Sequence, residues 1–318
     1  MDRSYNGQSL FLGILSQLSK SRIKEMKLRD FAITFLGFVG FAVGAGITLW
    51  GANSTPESQK FVSSPEFHLW LLLIAGQTAL WFAIVIPLIE LLRSLPFDKR
   101  ILPKCAVYLL GFALLSMGAK YLRPEVHPLA FHTVKMPIIN TIGSIAGTSA
   151  IFGIWLVQAA LERLNLRLES GKEHTSEIKD FLSLQTKLEK LLLAAGIIIG
   201  AATLATGGLR NATLAYQETA SFPREYVLLY GIFYSGLLAL IYGPAYASLL
   251  AVGSRLHDAI IPIPETPPDS WDSWLSNRKA VGELLQIQSG PLTSFTNGVS
   301  ILTPLIGSLV AILLGTNK

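Results

Sequence analysis

The chain has 318 residues, of which 51% are hydrophobic and 15% are charged, and its mean hydropathy is +0.47. Soluble globular domains carry about 25% charged residues, so the composition excludes an ordinary soluble enzyme and favours a protein whose apolar surface meets lipid. The formal charge is +5, but the basic residues lie beside apolar runs, where they set membrane topology, and no nucleic-acid partner is expected.

The N-terminal segment, residues 1–30, is polar and basic. Leu10, Ile14 and Leu18 recur at helical spacing, and a series of lysines and arginines follows them. This pattern predicts a basic amphipathic helix on the cytoplasmic surface of the membrane, with a disordered basic start as the alternative. The next apolar run is long enough to span a bilayer, so no cleavable signal peptide is expected.

Seven apolar runs predict transmembrane helices, because a bilayer core about 30 Å thick needs about 20 apolar residues in a helix. The runs are continuous rather than alternating, which favours helices over barrel strands. The third run is short, and its flanking lysines would extend it by snorkelling. The fold class expected is an all-α polytopic bundle. The predicted spans are 31–50, 69–92, 104–120, 136–161, 191–209, 226–253 and 292–314.

The distribution of lysine and arginine predicts the orientation of the chain. Four spans fall in 31–161, two in 191–253 and the seventh in 291–318. With the N-terminus inside, the inside segments hold 19 basic residues and the outside segments hold 7. This bias agrees with the positive-inside rule and depends on the third run crossing. We therefore expect a multi-pass protein of the cell membrane, in a bacterial inner membrane, with a cytoplasmic N-terminus.

The inside segment 162–190 is longer than a turn. The apolar residues of its second half follow helical spacing into the fifth span, and Gly171 is expected to break the helix that leaves the fourth span. A cytoplasmic helical hairpin is therefore predicted.

The inside segment 254–290 begins with a proline-rich linker, after which Asp269 or Ser270 can cap a helix. Trp271, Trp274 and later apolar residues give this helix an amphipathic pattern. Because tryptophan suits the membrane interface, the pattern favours a helix lying on the membrane surface over a free domain.

The fourth span carries a polar stripe, since Asn140, Ser144 and Thr148 lie at positions i, i+4 and i+8. We expect this face to point into the bundle. It either lines an aqueous path or forms a close contact between helices, for which small hydroxyl residues are typical.

The seventh span carries a similar stripe of Thr296, Ser300 and Thr303. Pro304 lacks an N–H and frees the carbonyl of Ser300. The freed carbonyl either coordinates a cation, as in discontinuous transporter helices, or belongs to a kink that a hydroxyl repairs.

Pairs of glycines four residues apart permit helices to approach closely. Three such pairs favour a compact bundle or a homo-oligomer. The pairs are Gly40 and Gly44, Gly143 and Gly147, and Gly196 and Gly200.

Few residues suggest catalysis. Glu90 is the one acid inside a predicted span, and it either couples protons, reaches the interface or pairs with Arg93. The outside loop with Glu125, His127 and His132 does not have the spacing of a zinc motif and is interpreted as a surface loop. A phosphate-binding glycine loop, a serine elbow and a paired-histidine motif are absent from the sequence. We expect no enzyme, cofactor or metal ion.

Two functions fit these features. One is a pore or passive transport protein built from the polar faces of spans four and seven. The other is a membrane-embedded signalling or effector subunit that binds a soluble cytoplasmic partner through 162–190 and 270–287. A third hypothesis, an enzyme acting on lipid, would use the loop with His127 and His132.

Overall fold

The fold is given by a computed structural model that describes residues 5–118, 127–168, 175–217, 222–264, 270–286 and 291–313. Within these ranges it describes all side chains except those of 5–26, 112–118 and 291–297. The described residues contain helices and no strand, which confirms the predicted all-α class. In chain order the elements are α1 (Tyr5–Leu49), α2 (Pro56–Val62), α3 (Pro65–Arg93), the 3-10 turn η1 (Lys99–Ile101), α4 (Leu102–Gly118), α5 (His132–Leu168), α6 (Thr175–Tyr216), α7 (Arg224–Ile260), α8 (Trp271–Leu284) and α9 (Pro291–Leu313).

Five of these helices are long and apolar enough to cross a membrane. They are α1 from Lys27 onward, α3, α5, α6 and α7. The other two predicted spans coincide with α4, which is 17 residues long, and with α9, whose apolar stretch with described side chains is Gly298–Leu313. Among the described residues, length and composition therefore support five spans.

The outer faces of these helices are apolar. Phe31 and Phe38 of α1 are 69% and 72% exposed, and Leu240 of α7 is 76% exposed. Water-soluble proteins rarely expose contiguous apolar patches of this kind. The surface is therefore compatible with insertion into a bilayer.

Helices α5 and α6 form the centre of the bundle. Helix α6 packs against α3, α5, α7 and α9, whereas α1 packs mainly on α3. Trp81 of α3 joins the central helices because its indole lies against Gly143 of α5 and its N–H donates to the carbonyl of Ile198 in α6 at 3.1 Å.

The buried apolar residues form two clusters, one toward each end of the bundle. At one end, here called the α8 end, Leu161, Leu188 and Leu285 are fully buried. At the other, here called the α2 end, Phe61 and Trp70 are fully buried. Aromatic residues make up a larger share of the cluster at the α2 end than of the cluster at the α8 end, which is mostly aliphatic.

Helices α4 and α9, which are shorter than the five candidate spans, each belong to a stretch of chain that runs from one end of the bundle to the other. Lys104 donates to Gln158 on the α8 side of α5, whereas His127 lies beside Thr213 at the α2 end. Similarly, Ser300 of α9 lies against Gly196, and the carbonyl of Ala311 accepts from Asn211 near the α2 end of α6.

The segments between the predicted spans continue the long helices. Helix α1 runs without interruption from Tyr5 to Leu49, so no break separates residues 5–30 from the first span. Helix α5 continues to Leu168, and its Arg167 forms a 2.8 Å ion pair with Asp180 of α6. Gly171, the predicted break, lies outside the described residues.

Candidate functional site

The clearest candidate site is α8, the short helix at the α8 end of the bundle. Its N-terminus is capped by Ser270, whose hydroxyl accepts from the N–H of Ser273 at 3.3 Å, as serine commonly does before a helix. Asp272 in the first turn complements the positive end of the helix dipole. These two residues explain why a helix begins at Trp271.

Arg278 fastens α8 to the end of α7. Its guanidinium donates to the carbonyl of Ile261 at 2.7 Å and pairs with the carboxylate of Asp258. It also lies 5.4 Å from the centre of the Trp274 ring, a cation–π distance. A planar guanidinium can make these contacts at once, whereas a lysine ammonium cannot.

A second set of hydrogen bonds holds the same helix face. Nε2 of His257 lies 2.8 Å from the carbonyl oxygen of Arg278, and since a carbonyl only accepts, Nε2 carries the donated hydrogen. The indole N–H of Trp274 donates to the carbonyl of Pro262 at 3.2 Å. Helix α8 is thus bonded to the last turn of α7 and to the residues that follow it.

The C-terminus of α8 is anchored in the core. Leu285 is fully buried among residues of α5, α6 and α7. Gln286 adopts a positive φ of 53°, which ends the helix, and its side chain accepts from the amide of Gln185 in α6 at 3.1 Å. Both ends of α8 are therefore fixed.

Despite these anchors, α8 leaves an apolar surface uncovered. We define the α8 patch as Ile263, Trp271, Trp274 and Leu275. Ile263, Trp271 and Leu275 are 69%, 52% and 53% exposed, and the two indoles meet edge to face at 5.7 Å. A fixed apolar surface of this kind is a typical docking feature.

The α3–α4 connection is fastened at the same end. The carboxylate of Asp98 accepts from the N–H of Arg100 at 2.9 Å and pairs with Arg163 of α5 at 2.8 Å. The backbone hydrogen bond from Arg100, followed by the bond and charge of Arg163, holds the pKa of Asp98 below its usual value. This acid is therefore structural.

The predicted stripe of the fourth span does not point uniformly into the bundle. Asn140 is exposed, and Ser144 and Thr148 are half-buried. The hydroxyl of Ser144 donates to the carbonyl of Asn140 within its own helix at 2.6 Å, and Thr148 is hydrogen-bonded to Tyr108 of α4.

In the seventh span, the described part of the stripe packs against α6. Ser300 is buried, and its carbonyl, to which Pro304 cannot donate, faces Gly196, where an added Cβ would lie 2.5 Å from the oxygen. Thr303 donates to the carbonyl of Val299 at 2.9 Å. Thr203 of α6 donates to the carbonyl of Pro304 at 3.1 Å. The side chain of Thr296 lies outside the described residues.

The predicted glycine pairs contact helices of the same chain. Gly40 and Gly44 face Thr78 of α3, Gly143 faces Trp81 and Gly147 faces Ile198. Gly196 and Gly200 face Ser300 and Thr303 of α9. The surfaces of these pairs are covered within one protomer.

Glu90, the intramembrane acid, lies 3.8 Å from the guanidinium of Arg29 in α1, and its side chain is 53% exposed. The partner is therefore a residue of another helix rather than Arg93. Such a half-exposed pair is typical of the end of a span.

The two histidines of the predicted surface loop lie in an aromatic cluster at the α2 end. Their rings stack with centroids 3.7 Å apart, and Phe61 contacts His127 edge to face at 5.5 Å. Nδ1 of His127 accepts from the N–H of Leu129 at 3.1 Å. Nε2 therefore carries the hydrogen and donates to the hydroxyl of Thr213 at 3.2 Å. Glu125 lies outside the described residues.

This environment keeps His127 neutral. Burial, followed by the charges of His132 and Lys135, lowers the pKa of His127 to about 2. Among the described residues, no group of three or more histidines, cysteines or acids is arranged to hold a metal ion. The cluster has the character of a packed core rather than of a reactive centre.

Comparison with known proteins gives no family or relative. No protein-family model matches the sequence, and no curated protein or solved structure matches it significantly. Sequence reasoning found α8 but missed its anchors, because Arg278, Asp258 and Gln185 carry no local signal of mutual contact.

Proposed function

We propose that the protein crosses the membrane seven times, with its N-terminus and the α8 end in the cytoplasm. The positions of Lys104 and His127 at opposite ends support a crossing that includes α4, and the contacts of α9 along α6 support another. The excess of basic residues on the N-terminal side of these crossings supports the orientation.

Within this topology the protein acts as a membrane-embedded signalling or effector subunit, and the α8 patch binds a soluble cytoplasmic partner. The observation that carries this proposal is that α8 is fixed at both ends while Trp271 and Leu275 stay exposed. Aromatic side chains on a rigid support favour binding, because little conformational entropy is lost when a partner docks.

The charge of α8 favours a protein partner over the bilayer surface. Helices that lie on membranes carry lysine and arginine on their polar face. In α8, Arg278 and Lys279 are balanced by Asp272 and Glu283, and Arg278 is already paired with Asp258. Attraction to anionic lipid would therefore be weak.

The packing of α9 supports this proposal over a pore through one protomer. Ser300 is buried, and Thr203 donates to the carbonyl of Pro304. These groups were candidates for an aqueous path, but they bring α6 and α9 together.

A photocrosslinking amino acid at position 271 tests the proposal in native membranes. We expect irradiation to join the protein to one discrete cytoplasmic protein, because Trp271 lies at the exposed edge of the patch. The measurement is the mass shift on a denaturing gel, followed by identification of the joined species by mass spectrometry.

The matched control places the same crosslinker at Ala280, an exposed residue of α8 that lies about half a turn from Trp271 around the helix axis. Much weaker crosslinking is expected there. Adducts of lipid alone from position 271 would place the patch on the bilayer and overturn the proposal, as would equal labelling from both positions.

A second candidate function, a pore between protomers, is favoured by Asn140. This residue is exposed on α5 within the predicted fourth span. Polar side chains in spans usually hydrogen-bond to another helix. A second copy of the chain could provide that helix and complete a polar path along Asn140 and Ser144.

Disulfide crosslinking tests this candidate. In a Cys105→Ser background, which removes the single native cysteine, Asn140→Cys is expected to give a covalent dimer upon oxidation, because a disulfide needs Cα atoms within about 7 Å. Leu229→Cys, at a 59% exposed position of α7, is the control and should stay monomeric. A monomer in both variants, or a dimer without ion flux in liposomes, would eliminate the pore.

A further inference from the structure

A lateral groove opens between α4, α5 and α7. Helix α4 packs less closely than the other long helices, with η1 as its main neighbour among the described elements, and Val107 on its surface is 72% exposed. The groove has a volume of about 460 Å³. This volume lies in the range of about 300–1,000 Å³ that is typical of small-molecule sites.

The walls of the groove are mainly apolar. On the α7 side they include Leu240 and Ile241, and on the α5 side Trp155, which is 8% exposed. Pro103, Val107, Tyr108 and Pro244 complete the apolar and aromatic lining. Because Leu240 is on the outer apolar surface, the groove opens toward the hydrocarbon of the bilayer, where lipid acyl chains surround the protein.

The polar groups of the groove lie toward the α8 end. Nζ of Lys104 donates to the side-chain oxygen of Gln158 at 3.1 Å, and the amide of Gln158 donates to Glu162 at 3.3 Å. In the described part of the chain, Lys104 has no carboxylate at ion-pair distance. Its positive charge is held at the groove by a neutral amide.

The surroundings of Lys104 add to this positive charge. Lys99 and Arg100 are exposed on η1, just before α4. Asp98, the nearby acid of the connection, is already paired with Arg163. With Glu162 as the acid beside Gln158, the three cations Lys99, Arg100 and Lys104 still leave the α8 end of the groove with an excess of positive charge, whereas its deeper lining has no cation.

We propose that this groove binds an anionic phospholipid from the leaflet at the α8 end. The phosphate lies on Lys104, and one acyl chain lies between Val107 and Leu240. Basic pockets between spans on the cytoplasmic side are known to select anionic headgroups. The lipid would fill the space beside the loosely packed α4. This proposal is independent of a protein partner at the α8 patch.

Quenching of tryptophan fluorescence by brominated acyl chains tests the proposal, because Trp155 lines the groove. The full-length protein is reconstituted with dibrominated phosphatidylglycerol or dibrominated phosphatidylcholine in an unbrominated phosphatidylcholine background. The difference between wild type and Trp155→Phe isolates the signal of this residue from the other tryptophans. We expect dibrominated phosphatidylglycerol to halve this signal at a mole fraction about fivefold lower than dibrominated phosphatidylcholine does.

Variants that change the charge or the shape of the groove distinguish a specific lipid site from a general attraction of anionic lipid to the basic surface. Lys104→Gln should remove the preference for phosphatidylglycerol, whereas Lys190→Gln, at an exposed lysine of α6, should keep it. Val107→Phe, which narrows the groove, should reduce the quenching of Trp155 by both lipids.

Two results would overturn the proposal. One is equal quenching by the two lipids in the wild type. The other is an equal loss of preference in Lys104→Gln and Lys190→Gln, which would assign the selectivity to the charged surface as a whole. Both lysines are exposed, so neither change is expected to prevent folding.

Discussion

Replacing Gly207 by valine is expected to destabilise the protein strongly, because this glycine of α6 lies directly against Ala311 of α9. A Cβ at this position would overlap the Cβ of Ala311. Both atoms are attached directly to helix backbones, so no flexible side chain can move aside. Overpacking of this kind costs about 1–3 kcal/mol, and adding Gly200→Val, which would meet Thr303, should increase the loss.

The control is Gly243→Val in α7, where an added Cβ meets no described atom within 4 Å. Both changes place a β-branched residue in an apolar helix, so the difference between them isolates the contact with α9. The measurement is the temperature at which detergent-purified protein loses its monodisperse peak in size-exclusion chromatography. Equal temperatures for the two variants would contradict the packing of α9.

The same contact shows what hydrophobic periodicity can predict. The apolar runs placed α1, α3, α5, α6 and α7 correctly, because about 20 uncharged residues have few other stable conformations. The glycine pairs predict close approach of helices, and in the structure they face neighbouring helices of the same chain. A stripe of small residues indicates which face of a helix makes a close contact or lines a site, but not which element that face contacts. From the sequence alone, Ser300 can therefore belong either to a cation site or to a packing surface.

Contacts between distant residues left no signal in the sequence. By its position in the sequence Lys135 belongs to a predicted outside segment, yet it is fully buried and donates to the carbonyl of Thr48 at the end of α1. This carbonyl lies in the last turn of a helix and has no partner in the helix ladder. The buried ammonium of Lys135 donates a hydrogen bond to this carbonyl. Only the fold brings Lys135 and Thr48 together.

The aromatic cluster at the α2 end was missed for the same reason. Phe61, His127 and Thr213 lie on three separate segments of the chain. From spacing alone, His127 and His132 are predicted to be surface residues, because a separation of five residues fits neither a helix face nor a metal motif. Their stacking depends on Phe61 and on the end of α6 meeting them.

Lowering the pH from 7 to 5 is expected to reduce the free energy of unfolding through His127. Burial lowers the pKa of this imidazole to about 2, whereas in the unfolded chain it has its ordinary value of 6.5. The unfolded state therefore binds the proton first as the pH falls through 6.5, while the folded state stays neutral. Stability is fully present above pH 6.5 and decreases below it, by about 2 kcal/mol at pH 5. Unfolding by a denaturing detergent at a series of pH values measures this change.

The neutral state of His127 follows from its bonds as well as from its burial. Nδ1 already accepts the N–H of Leu129, and Nε2 donates to Thr213, so a second proton would have to displace a backbone donor. His127→Gln removes the titrating group, and its stability should change much less between pH 7 and 5, although its value at pH 7 falls. His68→Gln, at an exposed histidine of α3, should retain the dependence of the wild type. An unchanged slope in His127→Gln would show that other groups cause the pH dependence and that the buried ring is not its origin.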